Sequence, residues 1–180
     1  HLNDLPESVR FLSDDGKGIL SNYTMFHAMN KAKELGVGIM VHAEDPNLSP
    51  LDYRIAEDII TLRDIYLAEQ TGARLHMSHV STVDSIDAVR HGKIKGANVT
   101  CEVTPHHLSL WDINYRVNPP IRTKKDVKAV IRGIQDGTVD CIATDHAPHS
   151  LEEKSRGFEN SAFGIVGLET SFAVMYTEFV

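Results

Sequence analysis

At 180 residues, with 42% hydrophobic content and a formal net charge of -7, the chain carries enough apolar material for one globular domain with a real core. An acidic total without a basic run argues against nucleic acid and against an anionic membrane surface, while leaving room for a local basic pocket, so a small-molecule partner is expected. No apolar run approaches the roughly 20 residues of a membrane span, and no basic region precedes an apolar block at the N-terminus, which points to the cytoplasm.

Taken in order, Val9 to Leu12 is strand-like and stops at the turn Ser13-Asp14-Asp15-Gly16. Met25, Met29, Ala32 and Leu35 recur at helical spacing until Gly36, and the apolar run Val37 to Val41 follows as a strand ending at His42-Ala43-Glu44-Asp45. Ile55, Ile59, Leu62, Ile65 and Ala68 predict a long amphipathic helix whose inner face they form, with Glu57, Asp58, Arg63 and Asp64 on the solvated side. Arg74 to Ser78 is another strand, ending at His79, and Ser81-Thr82 are N-cap candidates for a helix carrying Val83, Ile86 and Val89. Asn98 to Val103 is a further strand running into Thr104-Pro105-His106-His107. Val127, Val130, Ile131 and Ile134 then mark a helix, and Val139 to Ile142 reads as a short buried strand. Glu152 to Gly157 reads as a loop and Leu168 to Met175 as a closing apolar helix. Cys101 and Cys141 lack Cys-x-x-Cys spacing and read as buried thiols.

This alternation predicts parallel strands with right-handed helical crossovers. No low-complexity linker divides the chain. Its polar candidates gather just after strands, as at the C-terminal face of a β/α barrel; an open doubly wound sheet is the competing architecture, but no glycine-rich phosphate loop supports it. The stretch Ala143-Thr144-Asp145-His146-Ala147-Pro148-His149 stands out. A lone Asp-x-x-x-His is as readily a cap with hydrogen-bonding histidines as a chemical site. Asp15, His42 and His79 at other strand ends tip that balance, because imidazole nitrogens and carboxylate oxygens together suit zinc. His27, His76, His91 and His146 read as ordinary hydrogen-bonding residues, and His106-His107 as strand-end hydrogen-bonders or supports for the ligands.

Phe11-Leu12-Ser13-Asp14-Asp15-Gly16, Val41-His42-Ala43-Glu44-Asp45, His76-Met77-Ser78-His79-Val80-Ser81-Thr82, Asn118-Pro119-Pro120-Ile121-Arg122 and the Ala143 to His149 stretch followed by Lys154 resemble, in order, the bacterial dihydroorotases of the amidohydrolase superfamily. The resemblance implies a portion of a (β/α)8 TIM-like metal-dependent hydrolase barrel, roughly strand 4 to strand 8. It makes residues 1 to 180 a partial catalytic domain that interconverts L-dihydroorotate and N-carbamoyl-L-aspartate. It implies two zinc ions in the complete enzyme, with Asp15 as the bridging carboxylate, His42 and His79 on one ion, and Asp145 on the other and as the catalytic acid/base. It also implies substrate binding by Asn118, His149 and the Phe163-Gly164 backbone, a homodimer, and association with aspartate transcarbamoylase.

Other readings stay open at this stage. Asp14 is the alternative bridge, Asn118 has a turn role as its rival, and Gly164 a purely conformational one. The family's first-strand His-x-His-x-x-Arg segment and its C-terminal barrel closure have no counterpart here. Two junctions, at Ser49-Pro50 and Trp111-Asp112, are shorter than the family's loops, so the sequence reads as part of a longer chain. A hydantoinase or allantoinase is the rival enzyme, and a non-catalytic scaffold subunit the rival from another class.

Overall fold

A computed structural model of the chain describes residues 4 to 179. In chain order the elements are β1 (Phe11–Ser13), α1 (Asn22–Glu34), β2 (Gly38–Val41), α2 (Tyr53–Thr71), β3 (Leu75–Met77), α3 (Val83–Lys95), β4 (Val99–Val103), α4 (Pro105–Ser109), α5 (Lys124–Gln135), β5 (Cys141–Ile142), α6 (Leu151–Lys154) and α7 (Ser171–Phe179). All the strand pairings are parallel, as the alternation predicts. The residues fall into two compact units, His1–Ser78 with Asp87–Cys101, and His79–Ile86 with Glu102–Val180.

In the first unit, β1, β2, β3 and the beginning of β4 pair in sequence, with Phe11 opposite Gly38, Ile39 opposite Leu75, and Leu75 opposite Val99. Met25, Met29 and Ala32 of α1 are buried, as are Ile39, Val41, Leu75 and Met77 of the strands. Helix α1 starts where the Ser21 side chain accepts the Thr24 N–H at 3.2 Å. Asp52 caps α2 by accepting from Arg54 and Ile55 at 2.7 and 3.2 Å, and Gly72 ends it at φ 69°, a left-handed turn that favours glycine.

Helix α2 is rotated relative to the predicted orientation. Ile55, Ile59 and Leu62 are about half exposed, whereas Ala56, Glu57, Ile60, Thr61, Asp64, Ile65 and Ala68 are buried. Close packing is the reason: a Cβ placed at Gly92 of α3 would stand 2.5 Å from Ile65 Cγ2, and the small Ala56 and Ala68 share the inward side. The buried Asp64 carboxylate accepts from Arg63 Nε at 2.8 Å, and Arg63 Nη1 donates to the Leu20 carbonyl at 3.2 Å. Burial outweighs Arg63 and pushes the Asp64 carboxyl up to about 6.

In the second unit the end of β4 pairs with β5, Glu102 opposite Cys141 and Val103 opposite Ile142. The predicted buried strand is only partly realised. Val139 is buried, but both residues of β5 are exposed, because among the described residues β5 pairs only with β4. Cys141 is therefore exposed, contrary to the expected pair of buried thiols; Cys101 is buried. Two short helices replace predicted connections. Pro105 opens α4, with Thr104 Oγ1 accepting the His107 N–H at 3.2 Å, and α6 is started by a reciprocal Ser150–Glu153 capping box. Helix α7 begins at Ser171, later than predicted, and exposes Phe172 and Tyr176. No described helix is long and apolar enough to cross a membrane.

One buried carboxylate of this unit joins the start of α5 to Val83. Asp126 Oδ2 accepts from Thr123 N and Oγ1 at 3.1 and 2.6 Å, and Oδ1 accepts from Val83 N at the start of α3 at 3.1 Å. Asp126→Ala leaves those donors without their acceptor and should destabilise the protein by about 2 kcal/mol, read as a lower urea midpoint. A loss of less than about 0.5 kcal/mol, the ordinary range for a surface change, would contradict this role.

Candidate functional site

Four described residues other than glycine adopt positive φ: Asp15 at 54°, His79 at 36°, Asp112 at 53° and Asp145 at 46°. Three of them are sequence-predicted metal ligands, each just beyond a strand. A left-handed conformation costs an L-residue of order 1–3 kcal/mol, which surrounding structure must over-determine, and such strain gathers at functional sites. Sequence does not encode φ legibly, so this signal was invisible before the backbone was in hand.

In the first unit, Asp14 and His42 form a tight pair. Asp14 Oδ1 lies 2.5 Å from His42 Nδ1, and Asp14 Oδ2 accepts the His42 backbone N–H at 3.0 Å, with the Asp14 side chain 1% exposed. The Gly16 N–H faces both His42 Nδ1 at 3.1 Å and Asp14 Oδ1 at 3.3 Å. A carboxylate oxygen so close to Nδ1 requires a proton there, so the Gly16 N–H is served by the carboxylate, and in the neutral ring the lone pair falls on Nε2. A carboxylate behind an imidazole is the support that metal-ligating histidines commonly have. It engages Asp14 with His42, a pair in which the Asp15 side chain takes no part.

The second unit holds His79, Asp145, Asn118, His149, Phe163 and Gly164. His107 is fully buried and fully used: Thr104 O–H donates to Nδ1 at 2.8 Å, and Nε2–H donates to the carbonyls of Pro119 and Pro120 at 3.0 and 3.3 Å. It thereby fixes the segment that begins at Asn118. His106 is 5% exposed, and its Nε2 is buried without a hydrogen-bond partner. The negative charge of Asp145 bears on His106, raising its pKa against the larger effects of burial and of His107. Sequence left both histidines between two roles; the structure makes His107 a loop anchor and leaves His106 with an orphaned polar atom.

Burial, with opposing backbone hydrogen bonds for His107, pulls both imidazoles down to about 3. Unfolded, they protonate near 6.5, so each contributes stability that is whole above 6.5 and lost as pH falls toward 3. Asp64 acts oppositely: its carboxyl titrates at about 6 when folded and 3.8 when unfolded, so its contribution is lost as pH rises through that window. The urea midpoint of the metal-free protein should fall on acidification from pH 6.5 toward 4, more shallowly in His107→Asn. Equal slopes in the two proteins would contradict the assignment.

His149, Phe163 and Gly164 come together. His149 Nε2–H donates to the Phe163 carbonyl at 2.7 Å, and a Cβ at Gly164 would meet the Ala147 carbonyl at 2.4 Å and His149 Cδ2 at 3.0 Å. Gly164 also has φ 139°, so glycine is required there both for space and for conformation. The remaining histidines among the described residues make other contacts. His146 Nδ1 accepts from Gly167 and Leu168 N–H at 3.2 Å, His91 bonds the Asp87 carbonyl at 2.7 Å, His76 bonds Thr100 Oγ1 at 2.7 Å, and His27 packs on Tyr23 and Phe26.

In the first unit Asp15 and His42, and in the second His79 and Asp145, are carboxylates and imidazoles, groups of the kind that zinc takes; three of the four have positive φ.

No family model matches the chain. It is 50% identical over 184 residues to a dihydroorotase of Clostridium botulinum, covering 100% of this chain and 45% of that protein. It is 46% identical over 194 residues to a dihydroorotase of Brevibacillus brevis, covering 94% of this chain and 46% of that protein. An alignment longer than the chain itself means that this relative carries residues which the chain lacks. Among solved structures, a D-hydantoinase from Thermus sp. matches with TM-score 0.79 at 24% identity, over 93% of this chain and 44% of that one. An L-hydantoinase from Arthrobacter aurescens matches with TM-score 0.79 at 23% identity, over 92% and 44%. At these identities the likeness is one of fold alone, and it agrees with the parallel α/β arrangement. In sequence the chain is similar to dihydroorotases along 94–100% of its own length, and it spans about 45% of theirs.

Proposed function

We propose that the protein carrying this chain is a zinc-dependent dihydroorotase, catalysing the reversible hydrolysis of L-dihydroorotate to N-carbamoyl-L-aspartate in pyrimidine synthesis. The observation that carries the reading is the likeness to dihydroorotases along the whole chain, with chemically suitable residues at the matching strand ends. Asp15, His42, His79 and Asp145 would hold zinc. Zinc bound there supplies Lewis acidity, polarising the ring amide carbonyl and acidifying water. Asp145 takes the proton of the attacking water and delivers it to the departing amide nitrogen, then reverses both transfers during ring closure. Asp14 keeps the His42 lone pair on Nε2. Asn118 and His149 contact the ring and its carboxylate, with the Phe163-Gly164 main chain beside them. The reading also carries a cytoplasmic homodimer able to associate with aspartate transcarbamoylase, in which this chain is one portion of the barrel domain.

Cyclisation of N-carbamoyl-L-aspartate by the complete protein tests it. Formation of L-dihydroorotate, lost with a chelator and restored by zinc, is expected; no product from zinc-loaded protein would overturn it. The rival reading, a hydantoinase, draws on the fold likeness alone.

A further inference from the structure

The Phe163-Gly164 segment is held in place by two cations. Lys154 Nζ donates to the carbonyl oxygens of Arg116, Ala162 and Gly164 at 2.9, 2.8 and 2.9 Å, and stands 4.2 Å from the centre of the Tyr115 ring. An ammonium has three donors, and all three are spent on backbone carbonyls drawn from two separate segments. Arg116 adds a second set of ties. Its guanidinium lies 4.1 Å over the Phe163 ring, its Nη1 donates to the Phe158 carbonyl at 3.2 Å and to that of Glu159, and its own carbonyl accepts the Gly164 N–H at 3.1 Å.

These ties leave little of the segment's polar backbone for a ligand. The Phe163 carbonyl is taken by His149, the Gly164 N–H by the Arg116 carbonyl and the Gly164 carbonyl by Lys154. The Phe163 N–H is the main-chain group of this pair without a partner among the described residues. The segment thus presents one donor, with the positive charges of Lys154 and Arg116 close by, an arrangement that favours an anionic group.

We propose that Lys154 is a positioning residue for substrate binding: by fixing the main chain of residues 162–164 it presents the Phe163 N–H to a carboxylate-bearing substrate that Lys154 does not itself touch. The identity of that substrate rests on the dihydroorotase reading; the positioning does not.

The test compares Lys154→Met with wild type in the complete zinc-loaded protein, by amide hydrogen exchange and steady-state kinetics. Exchange at Ala162 and Gly164 should quicken by about tenfold or more while α5 is unchanged, and KM for L-dihydroorotate should rise by about tenfold with kcat within about threefold. Lys154→Arg should recover part of the KM, since its planar fork keeps the charge but cannot reproduce three converging bonds. Should Lys154→Met fail to fold, Lys154→Gln is read in the same way. Unchanged exchange at 162–164, or a fall in kcat at constant KM, would overturn the proposal. A wild type inert toward dihydroorotate would instead overturn the dihydroorotase reading, and quickened exchange in the variant would still support the positioning.

Discussion

Asp145→Ala should lower turnover of L-dihydroorotate by the complete protein by about a thousandfold or more, because in the proposed function one substitution removes both a metal ligand and the group that moves the proton. Asn118→Ala, which on the same proposal removes a substrate contact alone, should cost far less, about ten- to a hundredfold, and chiefly in KM. The left-handed backbone at Asp145, φ 46°, makes the comparison sharper. Alanine tolerates that conformation no better than aspartate, so a variant that still folds indicates that surrounding structure enforces the strain. Asp145→Asn, close in shape and without charge, separates the two roles of the carboxylate. It should lose the acid/base function while keeping more of the zinc than alanine does. Comparable modest losses in Asp145→Ala and Asn118→Ala, measured as kcat/KM, would remove Asp145 from the chemistry.

Asp14→Asn should weaken zinc binding by about 10–100-fold, although Asp14 is not itself a proposed ligand. The reason is the tautomer. The Asp14 carboxylate accepts from both His42 Nδ1, at 2.5 Å, and the His42 backbone N–H, at 3.0 Å. An asparagine that keeps its oxygen on the backbone N–H turns its amide N–H toward Nδ1. Nδ1 must then accept, and the ring proton moves to Nε2, where the metal needs a lone pair. The opposite amide rotamer faces two donors at the backbone. Competition against a chelator of known affinity, with stoichiometry counted on the same sample, measures the effect. An affinity within about twofold of wild type would show that the tautomer is set by something other than Asp14.

The placement of the candidate residues just after strands was legible because a histidine or aspartate follows a short, largely apolar run at each of them. The alternation of elements was legible for the same reason. What escaped depended on packing. Helix α2 carries apolar residues on two sides, and periodicity alone selected Ile55, Ile59 and Leu62. The side that is buried is the one where Ala56 and Ala68 permit close approach and where Arg63 accompanies Asp64 inward. The exposure of β5 follows from which strands stand beside it, which no local pattern records. The different fates of neighbouring His106 and His107 follow from contacts with residues more than ten positions away in the chain. The positive φ at Asp15, His79 and Asp145 is a tertiary outcome in residues that sequence-based turn rules assign only weakly.

The most direct test of the account offers the complete, zinc-loaded protein L-dihydroorotate and hydantoin in parallel, with bound zinc counted on the same preparation. The account predicts rapid opening of dihydroorotate, little or no opening of hydantoin, and loss of turnover on chelation that zinc restores. Opening of hydantoin with dihydroorotate untouched would place the protein with the enzymes whose fold it shares, and zinc-loaded protein inert toward both would contradict a cyclic-amide hydrolase altogether.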